Sequence, residues 1–448
     1  MNKNLLSAAI LGTLLSLTSA TALAKLDASE IARLGQDLTP TGAEQAGNAD
    51  GSIPAWSGGL TQPPAGYSAA KGYIDPFANE QPLYTVTAAN MAQYADRLMP
   101  GYKALLAKFP SYKLNVYPSH RTAALPQHEY ELIREEAAKL ELNGDSMVNY
   151  QKTSVPFPIP KSGLEAMWNH LTRYRTGGFL DYPTEMVVQA NGSFTPVRRM
   201  RKFAMASSMT NPEPNRLYYF WNSVTSPESI AGSQTLVHEP LDQTKESRLA
   251  WQYNPGQRRV LRAPEFSYDT PPGASDGLRT NDSADMYNGA PDKYDWKLVG
   301  KKEMLVPYNT YKLADTSLKY EQIIQPNHFN QDLLRYEPHR VWVVEATLKP
   351  GERHIYAKRV FYLDEDSWSI LASDIYDSRG ELWRFHEAHA LQRYDILSSF
   401  HISEVSYDLQ ARRYLVVNLQ NQEIPIKFNV PANLKILVPR LCVAAAAD

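Results

Sequence analysis

The run MVVQANGSFTPVRRMR, residues 186–201, sets the reading of the chain. Two β-rich segments, 186–190 and 194–201, flank Asn191-Gly192, the dipeptide that most favours a two-residue hairpin. Outward from this point the texture repeats. Segments 216–225, 235–239, 248–253 and 258–263 read as strands, the last two joined through Asn254-Pro255-Gly256. Beyond a loop over 267–292 come 296–306, 340–348, 354–363, 369–377 and 381–389, linked by turns such as Lys349-Pro350-Gly351 and Ser378-Arg379-Gly380. Segments 403–409 and 413–419 close the series. About a dozen hairpin-linked strands cannot lie flat, and they must curl into a barrel, part-barrel or sandwich.

Upstream the pattern is different. Apolar residues at helical spacing (Met91, Tyr94, Ala95 and Leu98; Leu132, Ile133, Ala137 and Leu140) predict helices over 88–108 and 128–142, with a further short helix over 162–173. Pro100-Gly101 should kink or split the first. Residues 38–67 are dominated by Gly, Pro, Ala and small polar side chains, with Trp56 as the one large anchor, and read as an irregular arm. An arm lying over an apolar barrel mouth would bury Trp56. At the start, Lys3, the apolar run 5–17 and Ala22-Leu23-Ala24 form a secretory leader with an expected cut after Ala24. The expected compartment is therefore the periplasm. A lipoprotein would need a cysteine just after the cut, whereas the single cysteine is Cys442. The expected organisation is a leader (1–24), an irregular arm (25–87), a helical segment packing on the sheet (88–180), an antiparallel half-barrel (181–430) and a C-terminal tail (431–448).

Composition narrows the class. The 448 residues carry a net charge of −2 with 43% hydrophobic and 21% charged residues, so no overall field favours nucleic acid or an anionic membrane. One cysteine excludes an intrachain disulfide, so the fold relies on packing and hydrogen bonding. The 27 tyrosines and 8 tryptophans suit broad sheets.

Three stretches, LAWQYNPGQRRVLRAP (249–264), DMYNGAPDKYDWKLVGKKEMLVPYN (285–309) and the block 341–389, resemble a family of exported bacterial proteins of unknown function. The arm TPTGAEQAGNADGSIPAWSGG (39–59) is similar to that family's N-terminal signature. The family is grouped with the periplasmic carriers LolA and LolB, and its members are often described as outer membrane lipoprotein-sorting proteins. They are often encoded near exporters of the RND type. The resemblance implies a mainly β (α+β) chain with a LolA-like open antiparallel half-barrel whose apolar concave face is covered by helices. This chain is longer than those carriers, with the arm and helical segment before Glu185 as additions.

Catalytic signatures are missing: there is no G-x-S-x-G elbow, Walker loop, G-x-G-x-x-G or H-E-x-x-H. Neither a metal nor a cofactor is expected. His386 and His389, three apart on a strand, should face opposite sides and read as surface or cross-strand residues. Asp269, Asp276, Asp282, Asp285, Asp292 and Asp295 read as turn formers in a long solvated connection. The strands are crowded with aromatics, and in an open barrel one face of each strand lines the concavity. The candidate hydrophobic contacts are Trp56, Tyr218, Phe220, Trp251, Tyr253, Trp296, Trp342, Trp383 and Phe385. Arg199 and Arg259, from the clusters at 198–202 and 258–262, are candidates for an anionic headgroup at the rim. Burying a sixteen-carbon acyl chain at about 0.8 kcal/mol per CH₂ gives roughly 13 kcal/mol gross, from which association costs of roughly 4–15 kcal/mol are subtracted. Micromolar capture needs no catalytic group.

The expected function is a non-enzymatic periplasmic carrier for a lipid or other hydrophobic molecule, working with an envelope export system. Two alternatives stand beside it. One is a structural adaptor docking on an outer membrane barrel or RND transporter without a small ligand. The other is an envelope lipid or ester hydrolase, which requires a nucleophile beside a base in a buried polar cluster.

Overall fold

The computed structural model describes residues 25–262 and 268–431. The leader, the end of the expected strand at residue 263, and the tail with Cys442 lie outside the described residues. At 186–201 a hairpin forms, but on a three-residue loop. The Gln189 N–H donates to the Ser193 carbonyl (2.9 Å) and the Gly192 N–H to the Gln189 carbonyl (2.8 Å). Gly192 alone takes the left-handed conformation, at φ +85°, while Asn191 does not. The expected two-residue turn needs a positive φ at both positions. Asn191 instead spends its side-chain oxygen on the N–H and hydroxyl of Ser193.

In chain order the strands are β1 (Tyr84–Val86), β2 (Leu114–Val116), β3 (Glu141–Asn143), β4 (Ser146–Val148), β5 (Gly178–Asp181), β6 (Thr184–Val188), β7 (Val197–Met205), β8 (Tyr218–Ser226), β9 (Gln234–Glu239) and β10 (Leu249–Asn254). They continue with β11 (Arg259–Arg262), β12 (Tyr294–Pro307), β13 (Tyr336–Leu348), β14 (Lys358–Asp364), β15 (Ile370–Tyr376), β16 (Leu382–Arg393), β17 (Ser398–Asp408), β18 (Arg413–Leu419) and β19 (Lys427–Phe428). The helices are α1 (Ala28–Ala32), α2 (Pro100–Lys108), α3 (Gln127–Ala137), α4 (Gly163–Thr172) and α5 (Tyr320–Ile323).

All but β3 and β4 form one sheet. Strands β12 to β18 run as an antiparallel meander, β18 then pairs with β6 through Val416 and Met186, and β6 to β11 continue antiparallel. Among the described residues no pairing joins β11 to β12, so the curled sheet stays open. This is the open, mostly antiparallel architecture expected from the sequence. One parallel contact, Tyr336 with Val116, brings in β2, and β5 pairs with the far half of β7. The sheet thus recruits β1, β2 and β5 from before residue 182.

Both faces of the meander are covered, which is why β13 to β18 are buried almost throughout rather than on alternate residues. Helix α2 lies on one face. A 3₁₀ turn over Met91–Arg97 ends before it, so the expected helix is split where Pro100 takes the first helical position. Gly101 lets α2 settle onto β16, where a Cβ would sit 2.0 Å from the Phe385 ring. Helix α4 starts at Ser162, whose hydroxyl accepts the Glu165 N–H. It covers the opposite face, with Met167, Trp168 and Leu171 in one core with Phe361, Trp368 and Ile370.

The arm is a strap across the β14–β15 turn. The Trp368 indole donates to the Thr41 carbonyl (2.9 Å), and the buried Arg121 bridges Asp366 to the Glu44 carbonyl. Two expectations fail in part here. Part of the 267–292 connection is folded inward: Asp282 is 1% exposed and ion-paired to Arg359 and His354, and Asp285 is gripped by Arg173 and Arg175, while Asp276, Asp292 and Asp295 stay exposed as expected. His386 and His389 are interior residues, the latter stacked on Phe329. Two-sided burial removes the solvated surface, while the cross-strand reading of the histidines stands, with His386 opposite Ser373 and Ser406 and His389 opposite Ser403.

Candidate functional site

Where β5 and β7 to β10 splay from the covered meander, a cavity of about 440 Å³ opens. Its wall follows from period-two alternation. In β7, Arg199, Arg201 and Phe203 share one face, and in β8 so do Phe220, Asn222 and Val224. Register aligns Phe179, Phe203, Phe220, Val237 and Ala250 across five strands as one apolar row. The next row is polar: Asp181, Arg201, Asn222, Thr235 and Gln252. The Phe179 and Phe203 rings stack at 5.1 Å, and Phe400 of β17 packs edge-on against Phe179.

The remaining side is charged. Arg173, Arg175, Arg199, Arg201, Arg248 and Arg279 line the cavity together with Glu185, Asp285 and Glu404. Five of the six guanidiniums are ion-paired: Arg173 and Arg175 to Asp285, Arg199 to Glu185, Arg201 to Asp181 and Arg248 to Glu239. Burial pushes the Asp285 carboxyl up, but Arg173 and Arg175 outweigh it and hold Asp285 well below the ordinary carboxylate range. Asn418 ties the network together, accepting from Arg201 (2.7 Å) and donating to Glu404 (2.9 Å).

Asp285, His401 and Glu404 converge closely enough to suggest a cation, as do His339, Asp364 and Asp366. Neither set is free for one. Asp285 gives its oxygens to two arginines and Asp366 gives both of its own to Arg121.

The structure sorts the nine hydrophobic candidates. Tyr218 and Phe220 line the cavity, as does Arg199; Tyr253 borders it through its place in β10 but packs with Tyr219, Trp221 and Leu236 on the reverse face. Trp251 points to the reverse face, in edge contact with His238. Trp296 donates to the Pro291 carbonyl and packs on Tyr287 and Phe361; Trp342 stacks on Trp368. Trp383 donates to Asp408 under Arg384, and Phe385 is core beneath α2. Trp56 is half-buried, donating to the Ala123 carbonyl (3.0 Å), and no residue of 25–87 lines the cavity. Arg259 is exposed on β11. Sequence reasoning missed Phe179, Phe203, Phe400 and four of the arginines, Arg173, Arg175, Arg248 and Arg279. Alternation in VRRMRKFAM (197–205) places Arg199, Arg201 and Phe203 together, but which face turns inward is fixed only by the pairing with β5 and β8.

Residues 85–437 match the family model described as "Protein of unknown function (DUF1329)". The chain belongs to the DUF1329 family. An uncharacterized protein of Pseudomonas aeruginosa is 52% identical to this DUF1329 chain over 417 residues, 91% of each. Among solved structures, a candidate outer membrane lipoprotein-sorting protein domain from Vibrio parahaemolyticus matches with TM-score 0.45 at 16% identity, over 63% of this chain and 98% of that one. A DUF1329 family protein from Desulfovibrio piger matches with TM-score 0.42 at 13% identity, covering 59% and 90%. A LolA superfamily protein from Nitrosomonas europaea gives 0.38 at 11% identity, covering 62% and 98%.

Proposed function

We propose that this DUF1329 protein is a non-enzymatic periplasmic binding protein that holds one hydrophobic molecule and hands it on within an envelope export system. The observation that carries this reading is the cavity beside the aromatic row, of the size that small-ligand sites occupy. The leader supplies the compartment, and no helix among the described residues is long and apolar enough to cross a membrane. The aromatic row supplies the driving force: removing apolar surface from water is worth about 25 cal/mol per Å².

The hydrolase alternative finds little support. A hydroxyl does meet an imidazole at Ser111 and His328 (2.8 Å), but Ser111 is exposed, neither residue lines the cavity, and the other ring nitrogen faces the Phe329 carbonyl rather than a carboxylate. The test is titration with the neutral fluorophore N-phenyl-1-naphthylamine. Saturable one-site uptake that Thr235→Trp abolishes, with the circular dichroism spectrum unchanged, is the expected result. Absence of saturable uptake by the wild type would transfer the case to the adaptor.

A further inference from the structure

One arginine in the cavity has no counterpart. Arg279 forms no ion pair or hydrogen bond within the described residues, and its buried Nε–H lacks an acceptor. The same is true of the Nε–H of Arg173, Arg175 and Arg199, whose terminal nitrogens are engaged but whose inner donors are not. His401, 5% exposed, turns into the same space with neither ring nitrogen hydrogen-bonded, 3.5 Å from Asp285 and 3.6 Å from Glu404. Buried donors without acceptors are costly, and several around one cavity indicate a group that arrives from outside.

The charges agree. The six lining guanidiniums face five carboxylates, Glu185, Asp285 and Glu404 in the lining and Asp181 and Glu239 as partners of Arg201 and Arg248, which leaves one positive charge in excess. The excess arises where Asp285 alone serves both Arg173 and Arg175; no ion pair joins Arg279 to Glu404 among the described residues, Glu404 accepting instead from the Asn418 amide and the Met286 N–H. Burial also lowers the Arg279 pKa, opposed by Glu185 and Glu404, as expected of a guanidinium short of a close acceptor.

We propose that the charged side of the cavity is an anion site, in which Arg279 takes the carboxylate or phosphate head of an amphiphile whose chain lies along Phe179, Phe203 and Phe220. The proposal rests on the binding reading above and narrows its ligand from hydrophobic to anionic amphiphile. A planar guanidinium with free donors binds either oxyanion by paired, charge-assisted hydrogen bonds. The aromatic row takes an alkyl chain at right angles to the strands, so head and tail each meet the chemistry that suits them.

The experiment compares dodecanoate, dodecyl phosphate and dodecanol by calorimetry on residues 25–448, in wild type, Arg279→Gln and Arg279→Lys. One or both anions should bind at least about tenfold tighter than dodecanol, and the tighter of the two identifies the head. Arg279→Gln should erase that preference, and Arg279→Lys should restore part of it, with the circular dichroism spectrum of each variant unchanged. Arg279 holds no partner among the described residues, so the thermal melts of the variants should match the wild type. Equal affinity for all three probes, or an anion preference untouched by Arg279→Gln, overturns the anion site and leaves the carrier standing. If no probe binds to the wild type, the carrier reading itself falls.

Discussion

Asp374 and Asp282 are both buried, and their surroundings push them to opposite sides of the ordinary carboxylate range. Burial raises Asp374 to about 6, against hydrogen bonds from the Tyr362 hydroxyl (2.8 Å) and the Gly101 N–H (2.7 Å), with no ion-pair partner among the described residues. A raised acid contributes stability that is complete below its unfolded pKa near 3.8 and lost as pH climbs through about 6. Asp374→Asn, which keeps an acceptor for Gly101, should therefore gain roughly 2–3 kcal/mol on the wild type between pH 4 and pH 7. Urea denaturation at the two pH values checks this, and parallel profiles would refute it. At Asp282 burial also raises the carboxyl, but Arg359 and His354 outweigh it and hold it well below 3.8. Its contribution is present above pH 4 and fails as pH drops further. Asp282→Asn should cost about 3–5 kcal/mol at pH 7 by stranding Arg359, with the deficit shrinking in acid.

Element by element, α2 shows how a local preference yields to packing. Alanine outranks glycine inside a helix by about 1 kcal/mol, yet Gly101→Ala would drive a methyl into Phe385. The expected net is a loss of about 1–3 kcal/mol, relieved in the double variant with Phe385→Leu; thermal melts of the three proteins measure it. The break at Pro100 was legible because proline acts locally, and so was the strand series, because turn residues and alternation are local signals. What escaped the sequence was pairing. The inward fold of Asp282 and Asp285 and the burial of His386 and His389 depend on partners far away in the chain, whereas the Asn191-Gly192 loop is set by hydrogen bonds within 189–193. The site suffered most: alternation puts Trp251 with Tyr253 and Trp383 with Phe385 but could not show which face turns inward, and Trp251 and Phe385 serve other cores.

At the scale of the whole molecule, an open sheet is closed off by different devices on its two sides. Over β12 to β18, helices and the strap exclude water, and over β7 to β10 the concavity stays accessible. Because the strap touches the β14–β15 turn and none of it lines the cavity, deleting residues 25–60 should lower the melting temperature by a few degrees without changing N-phenyl-1-naphthylamine affinity. Lost affinity would instead make the arm part of the binding site. The account's central claim is that the cavity carries a ligand, and native mass spectrometry of the processed protein purified from its own host, followed by denaturing extraction, tests it most directly. One anionic amphiphile per chain is the predicted result. A ligand-free protein that also takes up neither dodecanoate nor N-phenyl-1-naphthylamine would contradict it.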